Sequence, residues 1–218
     1  MTPVVHLVDD DAPLRTAISR LLRAAGYEVR AYASSGDFLL ARPEAPGCLL
    51  LDIRMPGPSG LDLQAAVASR EDALPIIFMT GYGDVPTSVR AMKAGAIDFL
   101  TKPVRREDLL AAVEAALERD SVRRSAMENL QELRERHASL TPREQEVCSH
   151  VVAGLLNKQI ASVLGTCERT VKAHRSRVMK KMGVGSVAEL VRASERLRRG
   201  VRSAAAIPKV APAASRAV

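Results

Sequence analysis

Four short apolar runs, each ending in a reactive polar residue, constrain this fold more than any other feature of the chain. Val4-Val5-His6-Leu7-Val8 leads into Asp9-Asp10-Asp11, and Leu49-Leu50-Leu51 into Asp52. Pro75-Ile76-Ile77-Phe78-Met79 leads into Thr80-Gly81, and Ile97-Asp98-Phe99-Leu100-Thr101 into Lys102-Pro103, a candidate cis peptide. Strand candidates at 4–8, 28–32, 48–52, 75–79 and 97–100 alternate with helical patterns, which predicts an α/β domain with a parallel sheet. The first, third and fourth runs do not alternate with polar residues, which suits strands buried on both faces. Open parallel sheets place their ligands beyond the carboxyl ends of the strands. Asp9, Asp10, Asp52, Thr80 and Lys102 are therefore expected at one common edge.

The helices between the strands carry their own punctuation. Asp11 is the expected N-cap of a helix with Pro13 in its first turn and Leu14, Ile18, Leu21 and Leu22 on one face. Ser34 or Ser35 can cap the next, around Phe38 and Leu39. Gly60–Ala68 and Val85–Ala94 give two more, the latter closed by Gly95. A fifth starts near Arg105 and meets no breaker until about His137. Its apolar stripe (Leu109, Val113, Ala116, Leu117) gives way beyond Asp120 to a charge-rich stretch, read as a helical linker over 121–138.

Charge divides the chain. Residues 1–120 carry 13 Lys+Arg against 17 Asp+Glu, whereas residues 139–199 carry 12 against 5. An acidic half joined to a basic half suggests a signalling or catalytic module attached to a nucleic-acid-binding one. Cys48, Cys148 and Cys167 share no metal-ligand spacing, which argues for a reducing compartment. With no signal-like start and no apolar run of membrane-spanning length, a cytoplasmic protein is expected, with no membrane partner.

Three carboxylates at one edge repel one another unless a cation joins them, and all-oxygen ligands with open positions suit Mg²⁺. A carboxylate can also attack phosphorus to give an acyl phosphate, with Lys102 and the metal neutralising the transferring group and the Thr80 hydroxyl donating to it. Taken singly, Asp9–Asp11 reads as a helix-capping turn, Thr80 as a turn residue and Phe99 as core; their order along the chain is what points to phosphoryl transfer.

At these residues the first 120 positions resemble a receiver domain of bacterial two-component response regulators. Gly81-Tyr82-Gly83-Asp84-Val85-Pro86 and Ala91-Met92-Lys93-Ala94-Gly95-Ala96 are similar to the FixJ-type branch. The resemblance implies a flavodoxin-like, five-stranded parallel sheet of order 2-1-3-4-5. It implies Asp9 and Asp10 as the acidic pair, Asp52 as phospho-acceptor and metal ligand, and the Arg54 backbone carbonyl as a further ligand. Lys102 becomes the phosphate-contacting lysine, Thr80 the switch hydroxyl, and Phe99 the aromatic that rotates inward when Thr80 closes on the phosphate. Mg²⁺ and a sensor histidine kinase are the implied cofactor and partner.

A second, all-α domain opens at Leu140-Thr-Pro-Arg-Glu144, where Thr141, Pro142 and Glu144 form a capping box. Helices are expected at about 142–153, 157–164, 168–182 and 186–197, and a disordered tail over 200–218. The pair 157–164 and 168–182 has helix-turn-helix proportions. Val171, His174, Val178 and Met182 make its inward face; Arg169, Lys172, Ala173, Ser176 and Lys180 lie opposite, flanked by Arg175 and Arg177. Such a helix can enter a major groove of double-stranded DNA. The scarcity of aromatic residues argues against single-strand stacking.

Leu140-Thr-Pro-Arg-Glu144, Gly154-Leu-Leu-Asn-Lys-Gln-Ile-Ala161 and Thr170-Val-Lys-Ala-His174 resemble the LuxR/NarL-type DNA-binding domain over about 138–195. By that resemblance Lys172, Ala173 and Ser176 face bases, while Lys158, Thr170, His174 and Arg177 are phosphate or structural positions. Val187, Leu190 and Val191 are the candidates for pairing two copies. Cys167 stands where the family usually has Ser or Thr as helix cap; a thiol caps poorly, which makes Thr166 the expected substitute.

These readings combine into a response regulator transcription factor: a receiver (1–120), a helical linker (121–138), a helix-turn-helix domain (139–199) and a tail. The phosphorylated chain is expected to form a homodimer on DNA, with RNA polymerase a further candidate partner. It would accept phosphate and self-dephosphorylate without being a dedicated enzyme. A Mg²⁺-dependent phosphatase is the rival, but Arg54 stands two positions after Asp52 where a general acid is needed, and no substrate-cap insertion is visible. A DNA-binding protein with the receiver as mere scaffold is the other rival; the set of acids, Thr80 and Lys102 speaks against it.

Overall fold

The computed structural model describes residues 2–41, 43, 45–68, 73–81 and 85–205, the side chains of 85–87 and 200–205 excepted. Residues 82–84 of the FixJ-like segment and 206–218 of the expected tail lie outside the described residues. Two compact units divide the chain, Met1–Arg124 and Ser125–Val218.

In the first unit the five strand candidates become β1 (Val4–Val8), β2 (Glu28–Tyr32), β3 (Gly47–Asp52), β4 (Ile76–Thr80) and β5 (Asp98–Thr101). All pair in parallel, in the order β2-β1-β3-β4-β5 that the resemblance implies. The helices are α1 (Ala12–Ala24), α2 (Ser35–Ala41), α3 (Gly60–Ala68), α4 (Val85–Lys93) and the first part of α5 (Arg106–Ala138). Every residue of the central strands β1, β3 and β4 is buried, because helices cover both faces of a parallel sheet. On one face Leu7, Leu50 and Ile77 pack with Leu22 of α1 and Leu109 and Val113 of α5. On the other Leu49, Leu51 and Phe78 pack with Phe38 of α2 and Leu63 and Val67 of α3.

Local signals start the helices where the sequence places them. The Asp11 carboxylate accepts from the Leu14 N–H at 3.0 Å and caps α1, with Pro13 in the first turn. Ser34 Oγ accepts from the Asp37 N–H at 3.1 Å at the head of α2. The Lys102–Pro103 peptide is cis. In β1, His6 is fully buried, its ring stacked on Tyr32 at 5.9 Å and edge-on to Phe38 at 5.8 Å. Burial, with the Arg30 charge adding to it, pushes the imidazole down to about 4, so the ring is neutral at neutral pH.

A buried carboxylate secures α5. Asp120 is 1% exposed and accepts from the Gly47 N–H at 2.9 Å, from Arg124 Nε at 2.7 Å and from the Arg123 guanidinium at 2.7 Å. Arg124 also donates to the Ala45 carbonyl at 3.2 Å. The helix is thereby tied to the segment entering β3. Gly47 has no room for a side chain there: a Cβ would lie 1.9 Å from the Val4 carbonyl oxygen. Residues 121–138 continue α5 as helix.

The second unit contains the end of α5 together with α6 (Pro142–Val152), α7 (Asn157–Val163), α8 (Glu168–Met182) and α9 (Val187–Ala205). The capping box at α6 is present: Thr141 accepts from the Glu144 N–H, and Glu144 from the Thr141 N–H at 2.9 Å. The Lys181 ammonium, 2.7 Å from the same carboxylate, holds Glu144 down at about 2. Val147, Ile160, Val171, Val178, Met182 and Leu190 form the core. The tail expectation needs correction, because α9 runs on to Ala205, past Gly200.

Candidate functional site

The sheet register brings the strand ends level. Val8 pairs with Leu51, Asp52 with Met79, and Thr80 with Thr101, so Asp9, Asp52, Thr80 and Lys102 emerge at one rim. There Lys102 Nζ donates to Asp9 Oδ2 at 2.8 Å and to Asp52 Oδ2 at 2.9 Å. One oxygen each from Asp9, Asp10 and Asp52 lie within 4.8 Å of one another. Asp9 is fully buried, Asp52 6% exposed and Asp10 exposed, giving a recessed pocket of charge with one arm open to solvent.

Backbone donors aim these carboxylates. The Asp11 N–H donates to Asp9 Oδ1 at 2.9 Å and the Arg54 N–H to Asp52 Oδ1 at 3.3 Å. Asp9 and Asp52 thus each have one oxygen held by the chain and the other shared with Lys102. Gly60 makes the turn after Asp52 feasible: a Cβ would sit 2.2 Å from the Asp52 carbonyl oxygen.

Burial raises the Asp52 carboxyl above the usual carboxylate range, with the Asp9 charge adding to it; Lys102 and the Arg54 N–H oppose without cancelling it. For Lys102 burial pulls downward, but the hydrogen bonds and charges of Asp9 and Asp52 together outweigh it and raise the ammonium. The two partners therefore do not mirror each other, because desolvation works with the second acid on Asp52 and against both acids on Lys102. The ammonium is charged, and the pair of acids is under-compensated by one cation. Hard oxygen donors grouped in this way fit Mg²⁺.

Thr80 is 2% exposed at the end of β4, and its carbonyl accepts from the Lys102 N–H at 2.6 Å. Phe99, opposite Phe78 on β5, is half-buried against the α2–α4 cluster. Arg15 and Gly60 are contributors that the sequence did not single out. The Arg15 guanidinium donates to the Asp9 carbonyl at 2.6 Å, a contact only the α1 geometry creates. A Pro-Ser-Gly turn after Asp52 was the available signal for Gly60.

In the second unit α7 and α8 are joined by a short turn and tied by Arg175, which donates to Asn157 at 3.1 Å. Val171, Val178 and Met182 are fully buried. Arg169, Lys172, Ala173, Ser176, Arg177 and Lys180 are exposed along α8, and Lys158 is exposed on α7. Thr170 and His174 are half-buried, and the His174 Nδ1 is buried without a hydrogen-bond partner among the described residues.

Two expectations fail here. Cys167 itself is the N-cap of α8 and makes no side-chain cap bond to the backbone, so Thr166 does not take the role. Its sulfur instead meets Thr170 Oγ1 at 3.2 Å. Leu190 is fully buried in the core of its own unit and cannot serve to pair copies, while Val187 packs against that core. Leu190 lies on the core-facing side of α9, which helical spacing alone did not distinguish from an outer apolar stripe.

Comparison with known proteins agrees with this geometry. Residues 5–114 match the response regulator receiver domain, and residues 138–194 match the LuxR family of bacterial regulatory proteins. The chain is 48% identical over 195 residues to nodulation protein W of Bradyrhizobium diazoefficiens, covering 89% of this chain and 86% of that protein. It is 39% identical over 193 residues to the transcriptional regulatory protein FixJ of the same organism, covering 88% and 94%. Among solved structures, the response regulator StyR superposes with a TM-score of 0.81 at 47% identity, over 90% of this chain and all of that one. Among the described residues no helix is long and apolar enough to cross a membrane. The chain therefore belongs to the response regulators that join a receiver domain to a LuxR-type DNA-binding domain, a family of transcriptional regulators.

Proposed function

We propose that Asp52 is the phospho-acceptor and that its modification governs DNA binding through α8. The observation that carries this reading is the Lys102 ammonium bridging Asp9 and Asp52 at the strand ends. A sensor histidine kinase is the proposed donor. An Asp52 carboxylate oxygen bonds to phosphorus as the P–N bond of phosphohistidine breaks; the imidazole nitrogen keeps the bonding pair and takes a proton from solvent. Asp9, Asp10, Asp52 and the Arg54 carbonyl are the proposed ligands of Mg²⁺, which when bound supplies charge neutralisation for the transferring group. Lys102 then turns from its two carboxylates to the new phosphate, and the Thr80 hydroxyl donates to it. Phe99 moves inward behind Thr80. Hydrolysis of the acyl phosphate at the same site resets the chain.

We assign residues 1–120 to the receiver, 121–138 to a helical linker and 139–199 to DNA binding. Phosphorylation favours a homodimer whose two recognition helices meet a palindromic site about one DNA turn apart. A bias of a few kcal/mol between two states is sufficient for such control. Lys172, Ala173 and Ser176 are the proposed base-facing residues; Lys158, Arg169, Thr170, His174, Arg177 and Lys180 serve the phosphates or hold the helix. RNA polymerase is a proposed partner at the promoter, and the cytoplasm the proposed compartment.

Mutation of the recognition helix tests the DNA half of this reading. With a duplex selected from random sequence, Lys172→Ala should weaken the preferred site by about tenfold or more and unrelated DNA far less. An unchanged footprint and affinity would remove α8 as the reading helix.

A further inference from the structure

We infer that the second unit carries a binding site for a small amphipathic anion, a carboxylate with an apolar body, between the end of α5, α6 and α9. A cleft of about 620 Å³ opens there, within the size range of small-molecule sites. Its apolar surface comes from Cys148 and Val152, one turn apart on α6, and from Leu197 on α9. Burial holds the Cys148 thiol above its ordinary range, against a hydrogen bond from Ser194, so the thiol adds neutral surface and no charge.

Two arginines and a histidine line the same cleft. Arg134 and His137 project one turn apart from α5, and Arg198 comes from α9. None of the described lining residues is acidic. Neither guanidinium, nor the His137 imidazole, has a hydrogen-bond or ion-pair partner among the described residues. Three other bases of the unit are paired with acids, Arg136 with Glu132, Arg143 with Glu146 at 2.8 Å, and Lys181 with Glu144 at 2.7 Å, whereas Arg169, Lys172, Arg177 and Lys180 stand exposed to solvent along α8 rather than around a hollow. A second cleft, of about 320 Å³, sets Glu132 and Glu189 among its arginines. Two uncompensated guanidiniums facing a common hollow repel one another until an anion joins them, and Arg pairs well with a planar carboxylate.

Other occupants fit less well. No residue of α7 or α8 lines the cleft, which separates it from the proposed DNA face. Residues 206–218 contribute Lys209 and Arg216 and no acidic side chain, so their side-chain charge does not complement the site.

Calorimetric titration of the full-length protein tests the proposal, with octanoate as the amphipathic anion, octylammonium as its charge-reversed counterpart and acetate as charge without a body. Octanoate should bind saturably, one per chain, with Kd below about 1 mM, and the other two should not. Arg134→Gln combined with Arg198→Gln should weaken octanoate at least about tenfold while folding, checked by circular dichroism, and DNA affinity are retained. Absence of saturable octanoate binding overturns the site, as does equal binding of octylammonium or an unaffected double variant. Uniform loss of DNA affinity in the double variant would make these arginines phosphate contacts instead. A change in sedimentation mass without octanoate binding would mark the cleft as a contact between copies, and the ligand proposal would fall.

Discussion

Asp52→Asn is expected to abolish labelling by radioactive acetyl phosphate in Mg²⁺, while the wild type takes up one phosphoryl group per chain. The substitution keeps the size of the side chain and the Arg54 N–H contact, so the rim need not rearrange. What it removes is the anionic oxygen proposed to attack phosphorus, and a carboxamide is a far weaker nucleophile. It also leaves Lys102 with a single carboxylate, Asp9, at 2.8 Å. The effect is one of chemistry and not of folding: removing a buried acid whose carboxyl is already raised should leave stability unchanged or increase it. Equal labelling of variant and wild type, or a variant that fails to fold by circular dichroism, would contradict this account.

Asp120→Ala is expected to cost about 3 kcal/mol of unfolding free energy for the first unit. Removing one member of a buried, hydrogen-bonded charge cluster costs about 3–5 kcal/mol, and the lower end applies because Arg123 and Arg124 reach solvent. The loss includes the Gly47 N–H, left buried without its acceptor. With no tryptophan in the chain, urea denaturation followed by circular dichroism is the measurement. A pH series supplies the second readout. Burial opposes ionisation of Asp120, but the bonds from Arg123, Gly47 and Arg124 prevail and hold its carboxyl below the ordinary 3.8. A depressed folded-state value means the stabilisation is fully present above about 4 and is lost as pH falls through the folded value. The difference between wild type and Asp120→Asn should therefore shrink only in strong acid. A loss under about 0.5 kcal/mol would show the cluster to be incidental to the fold.

Why the sequence was silent on Asp120 is a matter of distance. In a charge-rich helical stretch an aspartate reads as a solvated face, and its burial depends on meeting Gly47, 73 positions earlier. The central strands were legible for the opposite reason. Being covered on both faces, β1, β3 and β4 must be apolar throughout, so each appears as an unbroken run that ends where solvent and ligands begin. Edge strand β2 buries only Val29 and gave a weaker pattern. Boundaries slipped by one residue at β4, where Pro75 offers a carbonyl to Leu49 at 2.9 Å but has no N–H to continue the ladder. At the other end of the chain, Gly200 suggested a stop that the following Ser203-Ala-Ala205 overrode by helix propensity.

The site was readable to the same depth. Acids and a lysine placed at the ends of apolar runs could be gathered by topology alone, and the rim distances are those such a gathering requires. Backbone hydrogen bonds that select one oxygen of Asp9 and one of Asp52, and the close approach of Gly60 to the Asp52 carbonyl, leave no compositional trace. Cys167 illustrates the converse. A poor cap was expected to yield to its neighbour, yet α8 begins at the cysteine without a side-chain cap, its core-facing Val171, Val178 and Met182 fixing the helix through packing.

The most direct test of the central claim locates the phosphoryl group on the chain. After phosphorylation by acetyl phosphate and Mg²⁺, borohydride reduction converts an acyl phosphate to an alcohol, and peptide sequencing by mass spectrometry then reports its position. The reduced residue should be found at position 52 alone. Reduction at Asp9 or Asp10, or at a carboxylate away from this rim, would contradict the account.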